Sequence, residues 1–95
     1  MSTTVGYRYI TSVPNILSGE PIIKGTRTPV RSIVLKWRLG YSPEEMIQAM
    51  PYLTLAEVFE ALSYYSDNSE EIDDYIDRNH IPEELIHPLV RDLGP

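Results

Sequence analysis

The chain has 95 residues, a net charge of −6, eight prolines and no cysteine. This length fits one domain with a small core, and the lack of cysteine excludes a disulfide framework, a thiolate nucleophile and cysteine-based zinc ligation. No uninterrupted apolar run exceeds three residues, so we expect neither a membrane-spanning helix nor a signal peptide, and we expect a cytoplasmic protein.

The first 28 residues predict two short strands. Tyr7 to Ile10 alternate weakly, and Ile22-Ile23 forms a second β-branched pair before a turn at Gly25. Tyr7 and Tyr9 are expected on one face of the first strand, where they indicate an interface because tyrosine is enriched at such surfaces.

A first helix is predicted after Thr28. Thr28 is placed as its cap, Pro29 at its first position and Gly40 just past its end. Apolar residues recur at helical spacing and predict a buried face made of Val30, Ile33, Val34 and Trp37.

Two capping boxes, Ser42 to Glu45 and Thr54 to Glu57, open the second and third helices, which end near Met50 and Ser66. Asp67 to Ser69 is predicted to cap a fourth helix, about residues 70–78. Its core residues are expected to be Ile72, Tyr75 and Ile76. The predicted fold is mainly α: a helix-turn-helix-like four-helix domain with a short N-terminal β element over residues 1–78, then a proline-divided tail over 79–95.

The second and third helices have the proportions of a helix-turn-helix, although helical hairpins with such loops also occur in proteins that touch no DNA. Helical spacing puts Leu55, Val58, Phe59, Leu62 and Tyr65 on the inner arc of the third helix. It puts Glu57, Glu60, Ser63 and Tyr64 on the outer arc. An acidic outer face repels the phosphate groups of DNA. The helix-turn-helix shape and DNA binding are therefore separate hypotheses.

Basic residues concentrate in the first half of the chain. Residues 1–40 carry six Lys and Arg against one Glu, whereas residues 41–95 carry two Arg against thirteen carboxylates. Such a division indicates either an anion-binding end or mutual neutralisation of packed halves. The candidate nucleic-acid or anion site consists of Lys24, Arg27, Arg31 and Arg38. For Arg27 a structural clamp on a carboxylate or free carbonyls is favoured over an anion contact, because a single arginine beside a glycine turn more often has that role.

Catalytic and metal motifs are lacking. Asp73, Asp74 and Asp77 match D-D-x-x-D, but the second acidic motif of prenyl-diphosphate synthases is missing, which favours a solvated helix face. His80 and His87 have no metal-ligand spacing, and the glycines form no phosphate or dinucleotide fingerprint. We therefore expect no enzyme, no cofactor and no metal.

The chain from about residue 10 to 78 resembles the domain of unknown function 433 family, small proteins also described as VapB-type antitoxin-like. The matching positions are Gly19, Pro21, Ile23, Gly25-Thr26-Arg27, Pro29-Val30, Gly40, Ser42-Pro43-Glu44-Glu45, Pro51, Leu53-Thr54, Ala61-Leu62 and Tyr64-Tyr65. The resemblance implies a dimeric helix-turn-helix domain with short N-terminal strands. It further implies the antitoxin half of a toxin–antitoxin pair whose partner resembles a PIN-type nuclease.

These observations favour a non-enzymatic interaction module that binds and neutralises such a nuclease. The alternative is a DNA-binding autoregulator that uses the basic 24–38 region. In the first hypothesis the acidic tail covers a cationic nuclease cleft, and the charges of Glu83, Glu84 and Asp92 attract the tail to that cleft. The alternative for the tail is that it packs on the dimer of this chain. The predicted partner-binding anchors are Ile81, Leu85, Ile86, Leu89, Val90 and Leu93.

Overall fold

The structure is a computed structural model that describes Thr4 and residues 6–79. In chain order, the elements are β1 (Ile10–Thr11), a 3₁₀ turn (Leu17–Gly19), β2 (Ile22–Ile23), α1 (Val30–Arg38), α2 (Pro43–Ala49), α3 (Leu55–Asp67) and α4 (Ser69–Arg78). The predicted fold class is confirmed: four helices follow a short N-terminal β element. The tail anchors from Ile81 to Leu93 lie outside the described residues.

β1 and β2 form an antiparallel pair in which Ile10 lies opposite Ile23. Both side chains are buried, because β1 packs against α3. The first strand begins later than predicted, so Tyr7 is not part of it. Tyr7 instead packs its ring edge-on against Tyr64, with the centroids 4.9 Å apart, and its hydroxyl donates to Asp67 Oδ2 at 2.6 Å.

The turn after β2 is built around Gly25. Thr26 N–H donates to the carbonyl of Ile23 at 3.0 Å, and Gly25 has φ of +83°. A positive φ at the third residue of such a turn favours glycine. The Thr26 hydroxyl adds a bond to the same carbonyl at 2.8 Å and accepts from Thr28 N–H at 3.0 Å. These bonds fix the corner between β2 and α1.

α1 begins one residue later than predicted. Pro29 occupies the N-cap position with extended backbone. The Thr28 hydroxyl does not cap the helix but contacts the Tyr52 hydroxyl at 2.6 Å. The predicted end is confirmed: Gly40 has φ of +94°, and Tyr41 N–H reaches back to the carbonyl of Lys36 at 3.1 Å, as in a Schellman motif.

Both predicted capping boxes are present, at Ser42 with Glu45 and at Thr54 with Glu57. The junction of α3 and α4 differs from prediction. Asn68 serves as the C-cap of α3 and the N-cap of α4, but its side chain makes no N-cap bond and donates to the carbonyl of Tyr64 at 3.1 Å. The two helices therefore meet at a single shared residue.

α1 lies at the centre of the domain and packs against α2, α3 and α4. The buried apolar core consists of Ile10, Ile23, Val30, Ile33, Val34, Met46, Leu53, Val58, Ala61, Tyr64 and Ile72. Two expectations about helix faces are wrong. Trp37 and Phe59, placed in the core from their spacing, are 50% and 54% exposed, and Tyr64, placed outside, is fully buried. The buried arc of α3 is therefore rotated away from the predicted one.

Candidate functional site

Arg31, one of the four predicted anion-site residues, pairs with a carboxylate inside the domain. Its Nε lies 2.7 Å from Oε2 of Glu20, and its Nη2 lies 3.3 Å from Oε1. The Glu20 side chain is 4% exposed and that of Arg31 is 18% exposed. The fork geometry matches a planar carboxylate, so this guanidinium neutralises the one acidic residue of the basic half.

Arg38, at the other end of α1, is also engaged. Its Nη2 donates to Asp73 Oδ1 at 2.6 Å and to the Tyr65 hydroxyl at 2.7 Å. The hydrogen bond that Arg38 donates to Tyr65, with the electrostatic attraction of Tyr65 and Asp73, raises the pKa of this already strong base. Arg38 thus joins α1 to both α3 and α4.

Arg38 is exposed at the far end of α1, and Lys24 and Arg27 are exposed at the corner. Within residues 6–79 neither of these two corner side chains makes an ion pair or a hydrogen bond, so the predicted clamp at Arg27 is wrong for this part of the chain. They border a hollow of about 580 Å³, here called the corner hollow, which is lined by Thr11, Val13, Ile16, Ile22, Lys24, Gly25, Thr26 and Arg27. The structure therefore divides the predicted set into two internally paired arginines and two free cations.

The carboxylates of α3 do not form the acidic outer face that the sequence predicts. Glu57 is used in the capping box of its own helix. Glu60 accepts from the backbone N–H of Arg8 at 3.1 Å and also from that of Tyr9. Since Glu60 faces the N-terminal segment, it anchors β1 to α3.

The exposed residues in the first half of α3 are instead apolar. Leu55 and Phe59 are 39% and 54% exposed, and Leu62 follows at the same helical spacing. A shallow hollow of about 290 Å³ continues this surface onto α1 and is lined by Trp37, Leu62, Tyr65 and Ser66. We call Trp37, Leu55, Phe59, Leu62 and Tyr65 the apolar face.

Sequence reasoning missed the apolar face because Trp37, Leu55 and Phe59 were assigned to the core. Leu62 and Tyr65, which were assigned there too, do pack against it. The available signal was an excess of apolar residues on α3, more than one buried arc accommodates. One line of apolar residues on α3 packs into the core, and the other is exposed at the surface. The apolar face is thus a second apolar side of α3, distinct from its buried side.

Two of the three aspartates of α4 are engaged at the domain surface. Asp73 accepts from Arg38 and from the Tyr65 hydroxyl, and Asp74 pairs with Arg78. Among Thr4 and residues 6–79 there is no group of His, Cys, Asp and Glu side chains arranged to hold a metal ion. In the same part of the chain, no helix has the length and apolar character needed to cross a bilayer.

The chain is similar to proteins of a known family. A family model described as "Protein of unknown function (DUF433)" matches residues 10–65. "Uncharacterized protein y4eO" of Sinorhizobium fredii (strain NBRC 101917 / NGR234) is 40% identical over 58 residues, which are 61% of this chain and 26% of that protein. The chain thus matches about a quarter of this relative's length.

The fold is also similar to a solved structure. The crystal structure of a DUF433 member from Anabaena variabilis ATCC 29413 superposes with a TM-score of 0.70 at 31% identity, covering 75% of this chain and 70% of that one. The family model covers more than half of the chain and spans both strands, the basic corner and most of α3. The chain therefore belongs to the DUF433 family of proteins of unknown function.

Proposed function

We propose that the protein is a non-enzymatic, antitoxin-like interaction module that binds and neutralises a PIN-like nuclease in the cytoplasm. The observation that carries this proposal is the apolar face. Half-exposed aromatic side chains such as Trp37 and Phe59 are typical anchors of protein interfaces. An apolar surface that continues over two helices supports a role in binding another protein.

The charge around the apolar face favours a basic partner. None of its residues is charged, while residues 41–95 carry thirteen carboxylates against two arginines. A nuclease that acts on RNA needs a cationic approach to phosphate, and such a surface attracts an acidic protein before apolar contact forms. The tail anchors from Ile81 to Leu93 remain part of this proposal. We also propose a homodimer, which would present two apolar faces.

The test begins with a PIN-type nuclease recovered with the tagged chain from its own host. RNA cleavage by that nuclease is measured while the chain is titrated in. Phe59→Asp and Leu55→Asp are expected to abolish inhibition, because a carboxylate would be buried against the partner. Leu35→Asp is the matched control, since Leu35 is 38% exposed, close to the 39% of Leu55, and lies outside the apolar face.

The proposal fails if no nuclease is recovered, or if cleavage is inhibited equally by wild type and the Phe59→Asp chain. Circular dichroism of each variant separates loss of binding from loss of fold. Sedimentation equilibrium of the wild-type chain tests the dimer, and a monomer at all concentrations would contradict it.

The alternative, a DNA-binding autoregulator, has less support from the geometry. It relies on Lys24, Arg27, Arg31 and Arg38, and the latter two are paired with Glu20 and Asp73. Two free cations contact at most about two phosphates per chain, which gives a log–log salt slope of roughly −2. Steeper salt dependence of binding to upstream DNA would favour the regulator over the nuclease inhibitor.

A further inference from the structure

The corner hollow combines an apolar floor with a cationic rim. Val13, Ile16 and Ile22 supply the floor, and Lys24 and Arg27 border it. These two cations have no carboxylate partner among residues 6–79, whereas Arg31, Arg38 and Arg78 are each paired. No acidic residue lines the hollow. In a chain of net charge −6, this is a local positive site for which the described residues supply no carboxylate.

The corner that carries these cations is held in one conformation. Ile23 N–H donates to the carbonyl of Thr28 at 2.9 Å, and Lys24 N–H donates to that of Tyr9 at 2.7 Å. The Thr26 hydroxyl donates to the carbonyl of Ile23 and stabilises the turn. A ligand that binds here therefore meets a preorganised backbone, which lowers the entropy lost on binding.

The chemistry of the hollow selects an acidic peptide with aliphatic side chains. Nucleic acid is disfavoured because two cations neutralise few phosphates and the rest of the chain is acidic. Phosphate groups also gain nothing from the apolar floor formed by Val13, Ile16 and Ile22. A peptide that alternates carboxylates with aliphatic residues satisfies both parts of the hollow.

The chain contains such a segment. Residues 80–95 include the pair Glu83-Glu84, flanked by Ile81 on one side and Leu85-Ile86 on the other. Two carboxylates thus match the two unpaired cations, and the neighbouring aliphatic residues match the floor.

The place where this segment leaves α4 is close to the hollow. The C-cap of α4, Asn79, borders another hollow, which is distinct from the two described above and is also lined by Leu17 and Ser18. Ile16, the next residue back along the chain, lines the corner hollow. The segment after Asn79 therefore begins beside residues 16–18, the stretch of chain that separates the two hollows.

We propose that the corner hollow is the docking site for residues 80–95 of the same chain, with Glu83 and Glu84 paired to Lys24 and Arg27. The aliphatic neighbours of the two glutamates lie on Val13, Ile16 and Ile22. This docking is independent of the proposed nuclease inhibition, because it is measured in the isolated chain. A nuclease that uses the same tail must first displace it.

The test uses the full chain, which contains no cysteine. A nitroxide on Asp92→Cys is expected to weaken the amide NMR signals of Thr11, Gly25 and Thr26. Lys24→Glu with Arg27→Glu is expected to abolish this weakening. Adding Glu83→Lys and Glu84→Lys to that variant should restore it, because the charges are then exchanged rather than removed. Lys36→Glu, a cation outside the hollow, is the control and should change nothing.

Three results would overturn the proposal. The first is an absence of weakening in the wild-type background. The second is weakening that the charge reversal leaves intact. The third is weakening of a ¹⁵N chain without a nitroxide when it is mixed with a nitroxide-labelled chain that carries no ¹⁵N, because this identifies the tail of a second copy. If the first result is accompanied by shifts of the Gly25 and Thr26 signals on adding single-stranded DNA at moderate salt, the hollow is assigned to nucleic acid instead.

Discussion

Glu20 and Arg31 form an ion pair that joins the segment before β2 to the first turn of α1, with Arg31 Nε 2.7 Å from Glu20 Oε2. The carboxylate is nearly inaccessible to water, so its charge is balanced mainly by this guanidinium. Replacing Arg31 by Met is expected to lower the free energy of unfolding by about 3 kcal/mol, because an unpaired charge stays buried. Urea denaturation measures the change.

The paired variant Glu20→Gln with Arg31→Met should recover much of that loss, since neither residue then carries a buried charge. If the loss of unfolding free energy in the double variant equals the sum of the losses in the two single variants, packing and not charge makes this pair important.

Glu60 ties the N-terminal segment to α3 by accepting two backbone N–H groups. Glu60→Ala is expected to cost about 1 to 3 kcal/mol, because charge-assisted bonds are lost and both donors need new partners. Asp77→Ala, an exposed change on α4, is the control and should stay within about 0.5 kcal/mol. Faster amide exchange at Ile10 and Ile23 in Glu60→Ala alone would locate the effect at the β pair.

Gly25 is required for its backbone angle and not for space. Its φ is +83°, and a Cβ built there meets nothing within 4 Å. Gly25→Ala should therefore destabilise the protein by roughly 1 to 2 kcal/mol. Gly25→Asn should cost clearly less, because asparagine tolerates the left-handed region. Equal losses for both variants in thermal denaturation would contradict this assignment.

The capping box of α2 predicts a dependence on acid. The backbone N–H of Ser42 donates to Glu45 and lowers the pKa of that carboxyl below its ordinary 4.5. A lowered pKa in the folded state adds stability that is present above pH 4.5 and is lost as the pH falls through the folded value. The stability difference between wild type and Glu45→Gln should therefore shrink on acidification, and a difference that grows would contradict the sign.

The hydrogen bond of Tyr7 predicts a loss of stability in alkali. The hydrogen bond from its hydroxyl to Asp67 raises the pKa of the phenol above 10.0. A raised pKa gives stability that is complete below pH 10 and is lost as the pH rises through the folded value. Tyr7→Phe should thus be less stable than wild type near neutrality, and the gap should narrow in alkaline denaturation. A gap that stays constant with pH would exclude the hydrogen bond as its cause.

Local signals in the sequence predicted the helices well. The capping boxes at Ser42 and Thr54 and the glycine after α1 depend on neighbours within a few residues, so the chain itself displays them. The start of α1 was displaced by one residue because Thr28, a good cap in isolation, is held by Tyr52 from the next part of the fold.

Long-range contacts explain what the sequence did not predict. Tyr64 is buried because its ring meets Tyr7 and its hydroxyl donates to Glu71 at 2.5 Å. The candidate cations Arg31 and Arg38 found partners 11 and 35 residues away. Spacing along one helix carries no information about such partners, so the four cations looked equivalent in the sequence.

The anchoring of the N-terminal segment on α3 has a consequence for the order of folding. Helices α1 to α4 follow one another through short connections, so their contacts form without closing a large loop. The bonds of Glu60 to Tyr9 and of Tyr7 to Asp67 span 51 and 60 residues. Because loop closure is slower for distant residues, the four helices are expected to assemble first. The docking of the N-terminal segment on α3 should then complete the native state in the final step.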